Sequence, residues 1–142
     1  MVEKVKLAVM AIVELIKRLK AHYDGQREKL TKLQEQLNAL GDPGCDFCDE
    51  SYNHICSGKG NTSWYCLFYE RGKLVLLKHE SKAKDKIPLA QIQMDMVERT
   101  LERLPVFLER YQTFLEGREK THKLNLDKLT QIVQAISSIM AK

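Results

Sequence analysis

Four cysteines are the residues whose type and spacing most directly suggest chemistry. Cys45, Cys48, Cys56 and Cys66 lie close together, and they are the 4 cysteines of the chain. Two residues separate Cys45 from Cys48, a spacing at which a short turn presents two thiolates to one tetrahedral ion. In a reducing compartment, clustered thiols more often hold a metal than form bridges. The sequence therefore predicts a structural zinc site with these four thiolates as ligands.

The second half of the cysteine pattern leaves the type of site open. Seven residues separate Cys48 from Cys56 and nine separate Cys56 from Cys66, whereas a zinc ribbon has a second pair two residues apart. His54 is a candidate replacement for Cys56 as a ligand, although an exposed loop histidine or a hydrogen-bond donor beside the site is the expected role. Two disulfides, an iron–sulfur cluster and free thiols remain alternatives.

Catalysis is not indicated by these residues. A zinc ion with four protein ligands has no open position for water. His54-Ile55-Cys56 lacks the glutamate of the zinc deaminase signature, and Gly58–Ser63 does not have the residue order of a Walker loop. We therefore expect no enzymatic activity, and a thiol redox switch is a less favoured alternative.

Aromatic and basic residues concentrate around the last cysteine, where they are candidates for binding a macromolecular partner. The residues expected to make this contact are Trp64, Tyr65, Tyr69, Arg71, Lys73 and Lys78. Aromatic and basic side chains together suit single-stranded nucleic acid, but a net charge of +4 is modest for that role. A protein partner is therefore expected, with a nucleic-acid-binding regulator as the alternative. Packing of the aromatics within a small head is the simpler alternative.

A long helix is predicted before the cysteines. Apolar residues recur there at alternating steps of three and four over five heptads, namely at Val5, Val9, Ile12, Ile16, Leu19, Tyr23, Leu30, Leu33, Leu37 and Leu40. The pattern predicts one helix from Val2 to Leu40. Gly41–Gly44 ends it, since glycine supplies a left-handed cap and proline cannot continue the helix.

A β-hairpin is predicted within the cysteine-rich head, residues 41–87. Trp64–Tyr69 and Leu74–Leu77 are β-prone runs, and Glu70–Lys73 between them contains a glycine where a tight turn needs positive φ. Cys45–Gly60 has the composition of irregular chain, so the zinc ion is expected to stabilise it. Glu80–Lys86 is interpreted as a charged linker.

Returning helices are predicted for residues 88–142. A second heptad pattern runs from Ala90 to Leu115, with a kink expected at Pro105. Polar residues then occupy the seam, so the helix is expected to end near Gly117 and a third helix to span Leu124–Met140. The predicted fold is mainly α: a long antiparallel, coiled-coil-like helical hairpin with three helices in all, into which a small metal-stabilised β-hairpin head is inserted.

Composition and hydropathy place these elements in one domain, residues 1–142, with 44% hydrophobic and 30% charged residues. Leu7–Val13 is too short to span a bilayer and resembles a secretory segment poorly, so we expect a cytoplasmic protein with no membrane partner. Broad apolar faces at both helical ends are expected to cover each other, either across a homodimer interface, which is favoured, or by the third helix folding back to form a three-helix bundle. The function expected is that of a non-catalytic interaction protein: an adaptor, an inhibitor or an assembly factor.

Overall fold

Two long helices and one antiparallel sheet form the fold. The computed structural model describes residues 1–48, 55–56, 64–80 and 83–141. In chain order the elements are α1 (Val2–Asn38), β1 (Phe47–Cys48), β2 (Ile55–Cys56), β3 (Trp64–Glu70), β4 (Lys73–Glu80), β5 (Ala83–Pro88), two short 3-10 turns (Leu89–Gln91 and Met94–Met96) and α2 (Val97–Met140). The predicted mainly helical character and the long first helix are confirmed. The prediction of three helices is wrong.

The predicted hairpin is present as β3 and β4, within a larger sheet. Arg71 and Gly72 both have positive φ, 51° and 82°, as a two-residue hairpin turn with the right twist requires. A Cβ on Gly72 would lie 2.5 Å from the carbonyl oxygen of Gly41, so the turn also packs against the chain that leaves α1.

The sheet extends beyond the hairpin on both sides. Its strand order is β1-β3-β4-β5, and β2 also pairs with β3. The predicted charged linker is wrong, because Ala83–Pro88 forms β5 along the outer edge of β4. Charged residues are common on edge strands, where Asp85 and Lys86 lie exposed to water. Pro88 fits the end of such a strand, where its missing N–H costs no ladder bond.

Alternation along the strands gives the sheet two faces. One, the helix face, carries Tyr65, Leu67, Tyr69, Leu74 and Leu76, all of them buried. The other, the cysteine face, carries Cys48, Cys66, Phe68, Val75 and Leu77. Both faces are therefore apolar.

The two helices cover the helix face side by side. The core includes Leu30 and Leu37 from α1 and Leu104, Phe107 and Tyr111 from α2. Thr100, the one polar residue among the buried residues that the structure describes, donates its hydroxyl to the carbonyl of Met96 at 2.8 Å. The core thus occupies only the second half of α1 and the first half of α2.

Both helices run in the same direction, which corrects the prediction of an antiparallel hairpin. Leu30 of α1 and Val97 of α2 line one groove between the helices. Further along both helices, Leu37 and Leu108 line another. Residue numbers therefore increase together along the pair, and α2 does not return along α1.

The path of the chain into α2 explains this direction. The guanidinium of Arg27 donates hydrogen bonds to the carbonyls of Ala90 and Ile92, at 2.6 and 2.7 Å. The segment after β5 is thereby held beside Arg27, well before the end of α1. An antiparallel return would need α2 to begin near Asn38, but the sheet carries the chain back along α1 before α2 starts.

The second helix is continuous, so the predicted end near Gly117 and the separate third helix from Leu124 are wrong. α2 runs through Pro105 and Gly117 to Met140. The polar seam residues Arg118 and His122 suggested a break because a packed helix disfavours them. They lie exposed in the structure, where a polar side chain needs no buried partner.

The outer parts of both helices project from the head as two arms. We define the N-terminal arm as residues 1–25 and the C-terminal arm as residues 116–140. Because the helices run in the same direction, the arms leave the head at opposite ends, and all residues of both are exposed. In the part of the chain that the structure describes, neither helix has a stretch long and apolar enough to cross a membrane.

A side-chain amide joins α1 to the sheet. Gln34 donates to the carbonyl of Leu74 at 2.6 Å and accepts from the N–H of Leu89 at 2.5 Å. Asn38 accepts from the N–H of Leu74 at 3.0 Å. These two side chains take the place of a neighbouring strand where β5 ends, so they satisfy backbone groups that would otherwise lack a partner.

Stacked aromatic rings form the centre of the contact between α2 and the sheet. The ring of Tyr69 lies 4.4 Å from that of Tyr111 and 5.6 Å from that of Phe107, measured between centroids. The Tyr69 hydroxyl is buried, with no hydrogen-bond partner among the described residues. Burial, and secondarily Tyr111, raises the pKa of Tyr69 to about 12.

Replacing Gln34 with alanine should lower the free energy of unfolding by about 2 kcal/mol, because the substitution leaves two backbone groups without partners. Gln36→Ala is the matched control: Gln36 is exposed on the same helix, and we expect a change within about 0.5 kcal/mol. Urea denaturation of both variants measures the difference. Equal effects would show that the amide of Gln34 does not join the helix to the sheet.

Alkaline pH should destabilise the protein through Tyr69. The pKa is about 12 in the folded state, against about 10 for a tyrosine exposed to water, so this contribution to stability is complete below pH 10 and is lost as the pH rises toward 12. The expected loss is roughly 2 kcal/mol. Tyr69→Phe should flatten this decline in urea denaturation, and Tyr23→Phe, at an exposed tyrosine, should not. Identical pH profiles for the wild type and Tyr69→Phe would show that Tyr69 does not cause the loss of stability at alkaline pH.

Candidate functional site

Two of the four cysteines meet on the cysteine face. The Sγ atoms of Cys48 and Cys66 lie 3.4 Å apart, well beyond the roughly 2.05 Å of a disulfide. Cys66 is fully buried and Cys48 is half-buried. In a tetrahedral zinc site with Zn–S bonds of about 2.3 Å, neighbouring sulfur atoms are roughly 3.8 Å apart. This pair therefore has close to the separation that one ion requires.

The backbone register places a third cysteine near this pair. β1 pairs Cys48 with Phe68, and β2 pairs Cys56 with Trp64. Strand positions two residues apart share a face, and Cys66 lies midway between Trp64 and Phe68. Cys48, Cys56 and Cys66 thus occupy register positions of the same face. The side chain of Cys56 lies outside the described part, as does the whole of His54.

Cys45 lies apart from the Cys48 and Cys66 pair. It is half-buried in the bend before β1. Burial first, and then Cys45 and Asp42, raise the pKa of Tyr111. Among the residues that the structure describes, no group of three or more His, Cys, Asp or Glu side chains could hold a metal ion. A site with four thiolates would require Cys45 to turn toward the cysteine face.

The aromatic residues predicted to bind a partner are placed mainly in the core. Tyr65 is 4% exposed and Tyr69 is 1% exposed, so both offer almost no surface to a second molecule. Trp64 begins β3 opposite His79, and its side chain lies outside the described part. The structure therefore gives Tyr65 and Tyr69 a packing role, the alternative that the sequence left open.

The basic residues predicted to bind a partner lie at the surface of the hairpin. Arg71, in the turn, lies 3.9 Å from Asp46 in an exposed ion pair. Lys73 is exposed at the start of β4. The Lys78 ammonium is 6.0 Å from the centre of the Tyr65 ring. These cations are spread along β4 and its turn, and among the side chains that the structure describes they do not form one concentrated patch with exposed aromatic rings.

Sequence reasoning missed an open groove between the helices. It has a volume of about 590 Å³ and combines apolar side chains with acidic ones at its rim; the acidic residues are Asp42, Glu116 and Glu119. Leu40 is exposed at this groove, and Leu115 is half-buried. The heptad positions of both leucines were visible in the sequence, but their proximity depends on the helices running in the same direction.

Comparisons with known proteins found no match for this chain. No protein-family model matches the chain, no match was found among curated proteins, and no solved structure matches it. The geometry of the chain itself is therefore the basis on which its function is inferred.

Proposed function

We propose that this chain is a non-catalytic interaction protein, acting as an adaptor, inhibitor or assembly factor in the cytoplasm. A zinc-stabilised head holds two helical arms in fixed directions, and the arms bind a macromolecular partner. The observation that carries the proposal is the apolar surface of the arms. Large exposed patches of this kind are typical of protein interaction sites, because monomers seldom leave them open to water.

The contrast between head and arms supports this division of roles. The buried core lies entirely between Leu30 and Tyr111, whereas Ile12, Ile16, Leu129 and Ile136 are all about half exposed. In proteins, packing of the apolar face supplies more of a helix's stability than intrinsic helical propensity does. The arms therefore gain order when a partner covers them.

The zinc proposal is supported by the Cys48 and Cys66 pair and by the register of Cys56. A structural zinc ion held by Cys45, Cys48, Cys56 and Cys66 would tie the chain between β1 and β3 to the cysteine face. Binding energy at such a site becomes folding energy, since the unfolded chain does not offer the same arrangement of ligands. The ion has a structural role in this proposal and no part in catalysis.

Protein binding is favoured over nucleic-acid binding by the placement of the aromatic rings. Single-stranded nucleic acid needs exposed rings on which bases stack, and both Tyr65 and Tyr69 are buried. Arg71 already faces Asp46, which weakens its attraction for phosphate. A thiol redox switch would instead use the close pair Cys48 and Cys66, and it requires a disulfide that forms reversibly.

Elemental analysis of the purified protein, beside a thiol count, tests the zinc proposal. We expect about one zinc per chain, and a chelator rather than a reductant should lower the unfolding temperature. Cys48→Ser and Cys66→Ser should each reduce the zinc content, because each removes one ligand. His54→Ala is the control and should retain the metal. Four thiols joined in two disulfides, with no metal, would overturn the zinc site.

The salt dependence of binding tests the class of partner. Association through the apolar arms should persist from 0.1 to 1 M salt, since apolar burial does not depend on screened charges. Binding to nucleic acid weakens steeply over this range because counterions are released. Anisotropy of labelled single-stranded DNA and RNA, with Arg71→Glu/Lys73→Glu as the comparison variant, measures the alternative. Tight, salt-sensitive binding that this variant abolishes would replace protein interaction by nucleic-acid recognition.

A further inference from the structure

The apolar faces of the arms have the regular pattern of a coiled coil. On the N-terminal arm the seam residues are Val2, Val5, Val9, Ile12, Ile16 and Leu19, and on the C-terminal arm they are Leu129, Ile132, Ile136 and Ile139. Every one of these ten side chains is at least 46% exposed. A seam repeated every 3.5 residues fits a facing helix with the same repeat, so the expected occupant of each arm is another long helix.

The chain cannot cover its own arms. They leave the head at opposite ends, because α1 and α2 run in the same direction past Leu30, Val97, Leu37 and Leu108. Among the residues that the structure describes, neither arm therefore has a facing helix. A second copy supplies two such helices of the right length and spacing.

The area of the seam is enough for a dimer. Burial of an apolar side chain contributes about 1.5 kcal/mol at about 25 cal/mol per Å², which corresponds to roughly 60 Å² per side chain. Ten such side chains on each of two chains therefore give about 1,200 Å². Stable interfaces bury about 1,200–2,000 Å² in total. Pairing of both arms with a second copy reaches that range before the flanking residues are counted.

We propose that two copies of the chain form a closed dimer with two-fold symmetry, in which the N-terminal arm of each copy pairs antiparallel with the C-terminal arm of the other. The inference rests on the proposed function insofar as the arms are the interaction surface, and it identifies their partner as a second copy. Two identical arm pairs then lie on either side of two adjacent heads.

One register follows from the positions at which the arms leave the head. Gln26 of α1 and Leu115 of α2 mark those positions, and both are seam residues. When Gln26 is placed opposite Leu115 of the second copy, two seam residues face each other if their residue numbers add up to 141. Val9 then faces Ile132 of the second copy, and Ile12 faces Leu129. The apolar outer segments, Val2–Ile12 and Leu129–Ile139, coincide in this register. Nearer the head, Ile16 and Leu19 lie opposite the polar Asn125 and His122 of the second copy.

Flanking residues are compatible with this register. Beside the seam, Val13 lies opposite Leu126 of the second copy, and Lys20 lies opposite Glu119 of the second copy, an oppositely charged pair. Such flanking contacts set orientation and partner choice in coiled coils, so the sequence supports antiparallel pairing of unlike arms.

Disulfide trapping tests the register. In the double variant Val9→Cys/Ile132→Cys, oxidation should join two chains through the two introduced thiols, as identified by peptide mapping under non-reducing conditions. The double variant Val9→Cys/Ile139→Cys, shifted by one heptad, is the control and should form the corresponding link at least about tenfold more slowly, because the two Cβ atoms are then too far apart. A link between two copies of position 9, or an equal rate in the control, would overturn the proposed pairing.

Sedimentation velocity of the full chain tests the dimer independently of any trapping. The wild type should sediment as a dimer, and Ile12→Lys/Ile136→Lys should raise the dissociation constant by about 100-fold or more, because charges are placed in the seam. Leu7→Lys is the matched control: Leu7 is exposed on the same arm but outside the seam, and it should leave the dimer intact. The head should keep its zinc content and its unfolding midpoint in all of these variants.

A monomeric wild type at micromolar concentration would overturn the dimer. If that monomer binds another protein, or vesicles of anionic lipid, through Ile12 and Ile136, the occupant is not a second copy, although the arms still form an interaction surface. If Ile12→Lys/Ile136→Lys alters no association at all, the proposed function of the arms fails as well. The two failures are therefore distinguishable.

Discussion

The apolar helix face of the sheet is the constraint on which the rest of the structure depends. Tyr65, Leu67, Tyr69, Leu74 and Leu76 must be kept from water, and two helices lying side by side on that face accomplish it. A sheet of this size has room for only a few turns of each helix. The second half of α1 and the first half of α2 are used, and the outer parts of both helices, residues 1–25 and 116–140, are exposed.

The direction of α2 makes the molecule extended, because the uncovered parts of the two helices leave the head at opposite ends. Arg27 holds the carbonyls of Ala90 and Ile92, so α2 starts beside the middle of α1 and continues past its end. Had α2 started near Asn38, the two arms would have paired within one chain, and the molecule would have had little apolar surface to offer. The hydrogen bonds of Arg27 position the short connector between β5 and α2. They thereby determine at which ends of the head the apolar seams lie.

The head and the arms depend on different physical effects. The head combines buried apolar area with stacked rings around Tyr69 and with close thiols at Cys48 and Cys66, and in the proposed function a structural zinc ion would add binding energy to it. The arms have helical propensity and an apolar seam, and every residue of both arms is exposed. In the proposed dimer, a head of fixed shape sets the spacing and direction of two seams, and a second copy with the same spacing is complementary to them.

The sequence by itself determined the local elements: the long first helix, the hairpin turn at Arg71 and Gly72, the heptad seams and the clustering of the cysteines. These depend on periodicity and turn chemistry, which act over a few residues. Only the tertiary structure decided that Glu80–Lys86 contributes to an edge strand, that α2 is continuous through Gly117, that Tyr65 and Tyr69 are buried, and that the helices run in the same direction. A heptad pattern specifies which face of a helix is apolar but not what covers it or in which direction the covering helix runs. That depends on contacts such as those of Arg27 and Gln34, which join residues about 40 to 65 positions apart and leave no periodic signal.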